Sequence, residues 1–174
     1  MAENGLKPAA EKVQAAISEH GLDRRVIELP VHARTSRQAA DALGVTVGQI
    51  VKSLVFTVAG RPIMVAASGA NRVDERRLGE LAGGAIRRAD PTTVKQATGY
   101  TIGGVPPIAL ASALPIYVDR DLLGYELVYA AAGLPECVFP IAPQELVRAT
   151  GGTIVDIKEG GSDSAASDSK GERT

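Results

Sequence analysis

The stretch "VKSLVFTVAGRPIMVAAS", Val51 to Ser68, limits the possible folds more than any other part of the chain. Two apolar, β-branched runs flank Gly60-Arg61-Pro62, and the pattern reads as a hairpin turning at those three residues. Alternation puts Val51, Ser53, Val55 and Thr57 on one face of the first strand, and Lys52, Leu54, Phe56 and Val58 on the other. Both faces are largely apolar, so both are expected to be covered. Lys52 breaks the pattern, because lysine is almost never fully buried without a partner. Two readings fit it. It is either a strand-start lysine that snorkels to water, or a lysine at the floor of a pocket, holding a ligand anion or a developing negative charge.

Helices and further strands alternate around the hairpin without a regular βαβ order, so the fold class is α+β with a mixed sheet. "LKPAAEKVQAAISEHG" reads as a helix with Pro8 in its first turn, Gly21 at its end and Val13, Ala16 and Ile17 on one face. "RVIELP" reads as a short strand stopped by Pro30. "TSRQAADALG" is a helix with Thr35 as N-cap, Gln38 completing a capping box and Gly44 as the stop. "NRVDERRLGELAGG" is a third helix. "DPTTVKQATG" is a fourth, with Asp90 as N-cap, Pro91 at the first helical position and Gly99 as C-cap. "IYVD", "ELVYAAAG", "CVFPI" and "TIVDI" read as strands, and "APQELVRATGG" as a short helix. The domain is expected to span 1–158. The polar tail 159–174 has no apolar residue larger than Ala and is expected to be disordered.

Composition narrows the function classes. Aromatics are only 3% of the 174 residues and Trp is absent, so stacking on single-stranded bases has few platforms. The net charge of −1 gives no global basic signal for nucleic acid. Residues 159–174 carry −2, which leaves +1 on the body. Arginines cluster there as Arg24-Arg25, Arg34 and Arg37, Arg72 with Arg76-Arg77, and Arg87-Arg88. These are solvated faces or, if several share one face, phosphate contacts. One cysteine excludes an internal disulfide. No apolar run is long enough for a membrane span, and "MAENGLKPAAEK" does not read as a signal peptide, so a cytoplasmic location is expected.

Familiar catalytic groups are scarce. Cys137 in "PECVFP" reads as a small core residue. His20 falls at a helix end and His32 in a loop, and no metal-ligand spacing exists. The loop "GYTIGGVPPIAL", Gly99 to Leu110, is more suggestive. Gly103 and Gly104 permit close backbone approach, and Pro106-Pro107 stiffen the end of the loop. Such a loop can aim free N–H groups at a carbonyl or phosphate oxygen, or it can be a plain turn. In "YVDRD", Asp121 reads as the cap of a helical turn, whereas Asp119 has no capping role and is placed in a cleft.

In this order and spacing, "TSRQAADALGV", "IVKSLVF", "GYTIGGVPPIA", "IYVD" and "YAAAG" resemble the YbaK/EbsC, or prolyl-tRNA editing, family. The resemblance runs from about Leu22 to Ile157. It implies a mixed, mostly antiparallel, barrel-like sheet surrounded by helices. It implies hydrolysis of the ester joining a wrong amino acid to the 3′-terminal adenosine of a tRNA, with no cofactor. The family's lysine falls on Lys52 and its GxxxP loop on Gly103 to Pro107. Its aspartate after a strand falls on Asp119, and its small-residue-plus-glycine turn on Ala132-Gly133.

On that resemblance Lys52, Gly103 and Gly104 are the expected catalytic groups. Lys52 is expected as a point charge and the two glycines as oxyanion donors, with water attacking. Ser53, Thr101, Val105, Pro107, Asp119, Ala131 and Gly133 are the expected substrate-binding positions. The implied partners are mischarged tRNA, with tRNA-Pro foremost, and a prolyl-tRNA synthetase, with neither DNA nor a membrane. Two positions depart from the pattern. Ala131 stands where many members have Ser, and Pro106 replaces the usual Ser of the glycine loop. Both changes turn the implied amino acid away from cysteine and towards another small residue such as alanine. Two rival classes stay open: a non-catalytic tRNA-binding module of the same fold, and a hydrolase of small esters unrelated to tRNA.

Overall fold

The structure, a computed structural model, describes residues 5–160. Among these residues five helices surround an eight-stranded mixed sheet, as the α+β reading expected. The hairpin forms its centre. Strands β2 (Ile50–Val58) and β3 (Arg61–Ser68) pair antiparallel from Val51↔Ser68 to Val58↔Arg61. The turn is tighter than the sequence suggests. Ala59 (φ 50°) and Gly60 (φ 78°) are both left-handed, as a two-residue hairpin loop of matching twist requires. Arg61 and Pro62 therefore belong to β3, opposite Val58 and Thr57.

Around this centre the sheet runs β1-β7-β6-β2-β3-β5-β8, with β4 pairing to β2 off the path. The other strands are β1 (Ile27–Glu28), β4 (Ile86–Arg88), β5 (Ile116–Asp119), β6 (Val128–Ala131), β7 (Cys137–Ile141) and β8 (Thr153–Val155). Strand β4 escapes sequence reading, because its three residues are too few and too polar to show alternation. Four of the pairings are antiparallel; β2 with β6, β3 with β5 and β5 with β8 are parallel.

Both faces of the hairpin are covered. On one side Val51, Val55, Met64 and Ala66 pack with Val13 and Ile17 of α1 (Pro8–Glu19), Val94 of α4 (Pro91–Thr98) and Leu146 of α5 (Pro143–Thr150). On the other, Phe56, Ile63, Val65 and Ala67 pack with Leu78 of α3 (Glu75–Ala82). A third cluster joins Ile50 and Val138 to Ala39 and Ala40 of α2 (Ser36–Leu43). The caps explain where the helices stop. Thr35 and Gln38 form the capping box of α2, and Gly44 ends it in the left-handed region. Asp90 accepts from the Thr93 N–H at 2.8 Å to start α4.

The expected disordered tail lies outside the described residues from position 161 onward. Before it, the chain is tied back to the body. The Asp74 N–H donates to Ile157 O, Val73 and Lys158 form a bridge, and the Glu159 N–H donates to Arg72 O.

Candidate active site

The site lies where the central strand loses a neighbour. Pairing of β2 with β6 ends at Val51↔Ala130, and pairing with β4 begins at Phe56↔Arg88. Between them β2 has β3 on one side only. Carbonyls along a strand alternate in direction. Ile50 O accepts from Gly69 N on the β3 side, and Val55 O accepts from Ala89 N on the other. Ser53, two residues before Val55, therefore turns its N–H and C=O into the gap. The glycine loop covers part of this gap.

A cleft of about 700 Å³ opens over it. Its floor is Lys52, Ser53 and Leu54, with Gly69 and Ala70 at the end of β3. One wall is Ile102, Gly103 and Val105, and another is Ala131 and Pro135. Arg34 and Arg37 line it from the start of α2. A smaller lobe of about 240 Å³, bounded by Ser53, Val55, Ala89, Val94 and Val105, shares the glycine-loop wall. A side chain at Gly69 would meet Val47 O at 2.5 Å and Ser36 Cβ at 2.8 Å, so glycine is what lets α2 approach the floor.

Lys52 is half-buried, and its ammonium donates to the backbone carbonyl of Asn71 at 2.6 Å. Burial pushes its pKa below the ordinary lysine value. The Asp119 charge opposes that shift, and Arg72 and Arg88 reinforce it. The Asn71 carboxamide donates to Asp119 Oδ2 and Asp121 Oδ2, both at 2.9 Å. Asp119, only 2% exposed, also accepts from the Ser68 N–H (3.0 Å) and the Asp121 N–H (3.0 Å). Asp119, not Asp121, thus caps the 3-10 turn Arg120–Gly124, contrary to the sequence reading. Asp121 instead holds Lys158 at 3.0 Å.

Of the positions singled out in the sequence, Lys52, Ser53, Gly103, Val105 and Ala131 meet at the cleft. Thr101, Gly104, Pro107, Asp119 and Gly133 do not line it, and Thr101 is exposed. The Gly104 N–H is taken by Thr101 O at 3.1 Å, and Gly104 O accepts from the Gly133 N–H at 2.9 Å. Gly104 therefore stitches the two wall loops together, and its N–H is not free for an oxyanion. Gly103, with φ 99°, has no hydrogen-bond partner for its N–H among the described residues. The Ser53 hydroxyl is enclosed and has no partner among the described residues.

The arginines divide by role. Arg24 pairs with Glu145 (3.0 Å), Arg76 with Glu80 (3.2 Å) and Arg88 with Glu75 (3.2 Å). Arg34 and Arg37 are at the cleft rim. Cys137 is 3% exposed and its thiol is pushed up to about 11, mainly by burial, so it is no nucleophile near neutral pH. Sequence reasoning misses Asn71, because its contribution to Lys52 is a backbone carbonyl that no residue type announces. It also misses Ile102 (60% exposed at the rim) and Tyr129, which line the cleft but carry no chemistry that marks them in a sequence.

A half-buried ammonium thus lies on the floor of a cleft that has two arginines in its lining and the open backbone of β2 beneath it. The sequence model of the aminoacyl-tRNA editing domain matches residues 31–149. The chain belongs to the aminoacyl-tRNA editing domain family. It is 30% identical over 137 residues to the uncharacterized protein YwhH of Bacillus subtilis (strain 168), covering 78% of this chain and 87% of that one. It is 33% identical over 90 residues to the proline-tRNA ligase of Maridesulfovibrio salexigens, covering 51% of this chain and 15% of the ligase. A crystal structure described as a candidate trans-editing enzyme for prolyl tRNA synthetase superposes with a TM-score of 0.86 at 46% identity. That match covers 89% of this chain and 99% of the other. Among the described residues no helix is long and apolar enough to cross a membrane.

Proposed function

We propose that this chain is a trans-editing deacylase, which hydrolyses the ester of a wrongly attached small amino acid on a tRNA, foremost tRNA-Pro. The observation that carries the reading is Lys52. Its ammonium is half-buried on the cleft floor, yet its hydrogen-bonded partner among the described residues is a neutral carbonyl. An ammonium has three donors, so two remain for the ligand. Lys52 would hold the terminal phosphate or ribose as a point charge. Arg34 and Arg37 would meet the preceding phosphates of the single-stranded 3′ end.

The reaction needs few further groups. Water attacks the ester carbonyl and a tetrahedral oxyanion forms. The acyl–oxygen bond then breaks and the ribose oxygen leaves with a proton. The Gly103 N–H, which has no hydrogen-bond partner among the described residues, would meet that oxyanion, an interaction whose removal elsewhere costs about 3 kcal/mol. The ester is already activated, so positioning can supply much of the acceleration. The small apolar lobe suits a short side chain. Such a lobe discriminates one methylene by only about 1–3 kcal/mol, so selection by size is leaky.

The test is hydrolysis of prolyl-tRNAs mischarged with alanine, cysteine, serine and threonine, by the wild type and by Lys52→Ala. Release from one or two of them, abolished in the variant, is the expected result. Arg34→Ala with Arg37→Ala should flatten the salt dependence of tRNA binding by about 0.7 for each phosphate no longer held. Binding without release from any substrate would favour the non-catalytic module. Release that is insensitive to salt would favour a small-ester hydrolase.

A further inference from the structure

We infer that Asn71 is a positioning residue for Lys52: its carbonyl aims the ammonium, its carboxamide is clamped between Asp119 and Asp121, and Lys158 latches that clamp. The inference rests on the reading that Lys52 acts in the cleft. Lysine has four rotatable bonds and roughly 2 kcal/mol of rotamer entropy, so an unheld ammonium would sweep the cleft floor. A carboxylate partner would hold it but also neutralise it. A backbone carbonyl at 2.6 Å orients the ammonium and leaves its charge for the ligand.

A carbonyl can do this only if its peptide is fixed. Asn71 closes the turn after β3, its N–H donating to Ser68 O at 3.0 Å. Both carboxamide hydrogens are used, one on Asp119 and one on Asp121. Asp119 holds the other end of the same turn through the Ser68 N–H. Asp121 is fixed in turn by Lys158, at the point where the chain is bridged back to Val73. Asparagine suits this place because it offers two donors to two carboxylates. An aspartate there would bring a third negative charge and no donor.

The charges that bear on Lys52 are Asp119, Arg72 and Arg88; replacing Asn71 removes none of them, and Asp119, which gives up one hydrogen bond, is still held by the Ser68 and Asp121 N–H groups. A change in the titration of Lys52 therefore reports the carbonyl's placement. The experiment uses the full chain with lysines reductively methylated with carbon-13, the Lys52 signal being assigned by its absence in Lys52→Met. In Asn71→Ala the Lys52 midpoint should move down by about half a pH unit, because the charged form is deprived of an acceptor. The same variant should lose between about tenfold and a hundredfold in kcat with little change in KM. It should add no loss in a Lys52→Ala background. Lys158→Met, at the half-exposed end of the latch, also removes a cation and leaves Asp121 unpaired, which by itself raises the Lys52 midpoint, so its readout is kcat, which should fall by less than in Asn71→Ala and not at all in the Lys52→Ala background. It also decides the case should Asn71→Ala not fold.

A lower melting temperature with an unchanged Lys52 midpoint would overturn the proposal, leaving Asn71 a structural residue. If no mischarged tRNA is cleaved by the wild type, the reading of the cleft fails while the titration still decides the clamp.

Discussion

Gly104→Ala should loosen the cleft without touching any group in it. A Cβ at this position would lie 2.8 Å from Gly133 O, 2.8 Å from Leu134 N and 2.9 Å from the Gly133 carbonyl carbon. These are backbone atoms, so no side chain can rotate away. One wall loop must retreat by about half an ångström to regain ordinary van der Waals separation, and the 2.9 Å bond from Gly133 N–H to Gly104 O stretches with it. Overpacking of this kind costs about 1–3 kcal/mol, and the weakened bond adds about 0.5–1.5 kcal/mol. For a chain of this size each kcal/mol is worth about 2–4 °C, which predicts a fall of roughly 3–18 °C in Tm. Activity should fall with it, since the loops carrying Gly103 and Pro135 separate. The assay is a urea titration and a thermal melt beside single-turnover deacylation. Gly124→Ala is the control, because nothing lies within 4 Å of its Cβ position. A Gly104→Ala protein as stable as the control would refute the argument.

Two further outcomes are expected. Ser53→Ala should raise the urea midpoint by the equivalent of about 1 kcal/mol, because it removes an enclosed hydroxyl that has no partner among the described residues; an unchanged midpoint would mean that the hydroxyl is satisfied. Glu136, 5% exposed, is held below the usual carboxylate range mainly by its hydrogen bond from Lys7 at 3.0 Å. A depressed carboxylate stabilises the fold above its unfolded value of about 4.3 and loses that contribution as pH falls through the folded value. Stability should therefore drop below about pH 4, and Glu136→Gln should flatten that acid limb in urea midpoints measured from about pH 3 to 6; an equally steep limb in the variant would count against it.

The legible parts of the fold are those where a residue type has one local meaning. Thr35, Asp90, Gly44 and Gly99 cap helices wherever they stand in such patterns, and all four do so here. The hairpin is legible from two apolar runs, but the position of its turn is not. A proline in the second strand resembles a turn residue until the register is known. Pro62 sits opposite Thr57, on the set of β2 residues whose backbone points away from β3, so its missing N–H costs nothing. Asp119 takes the capping role that the sequence suggests for Asp121, because capping depends on where the turn begins. For the site, Lys52 stands out as a charge in an apolar strand. The gap between β6 and β4 does not, because it is a property of which strands pair across long separations. Gly104 misleads for a related reason: its N–H is consumed by a local turn that composition does not reveal.

The open stretch of β2 has a consequence for how such a site diversifies. Main-chain groups at Ser53 survive every substitution at that position except proline, so whatever they grip would be held independently of side-chain identity. The walls at Val105, Ala131 and Pro135 are side chains, and exchanging them reshapes the cleft without replacing any residue of β2. Part of the hold on the constant end of a ligand is thereby separated from the choice of its variable end. If the proposed deacylation holds, a chain built this way would be retuned from one small amino acid to another by a few wall exchanges while its register and hairpin stay as they are.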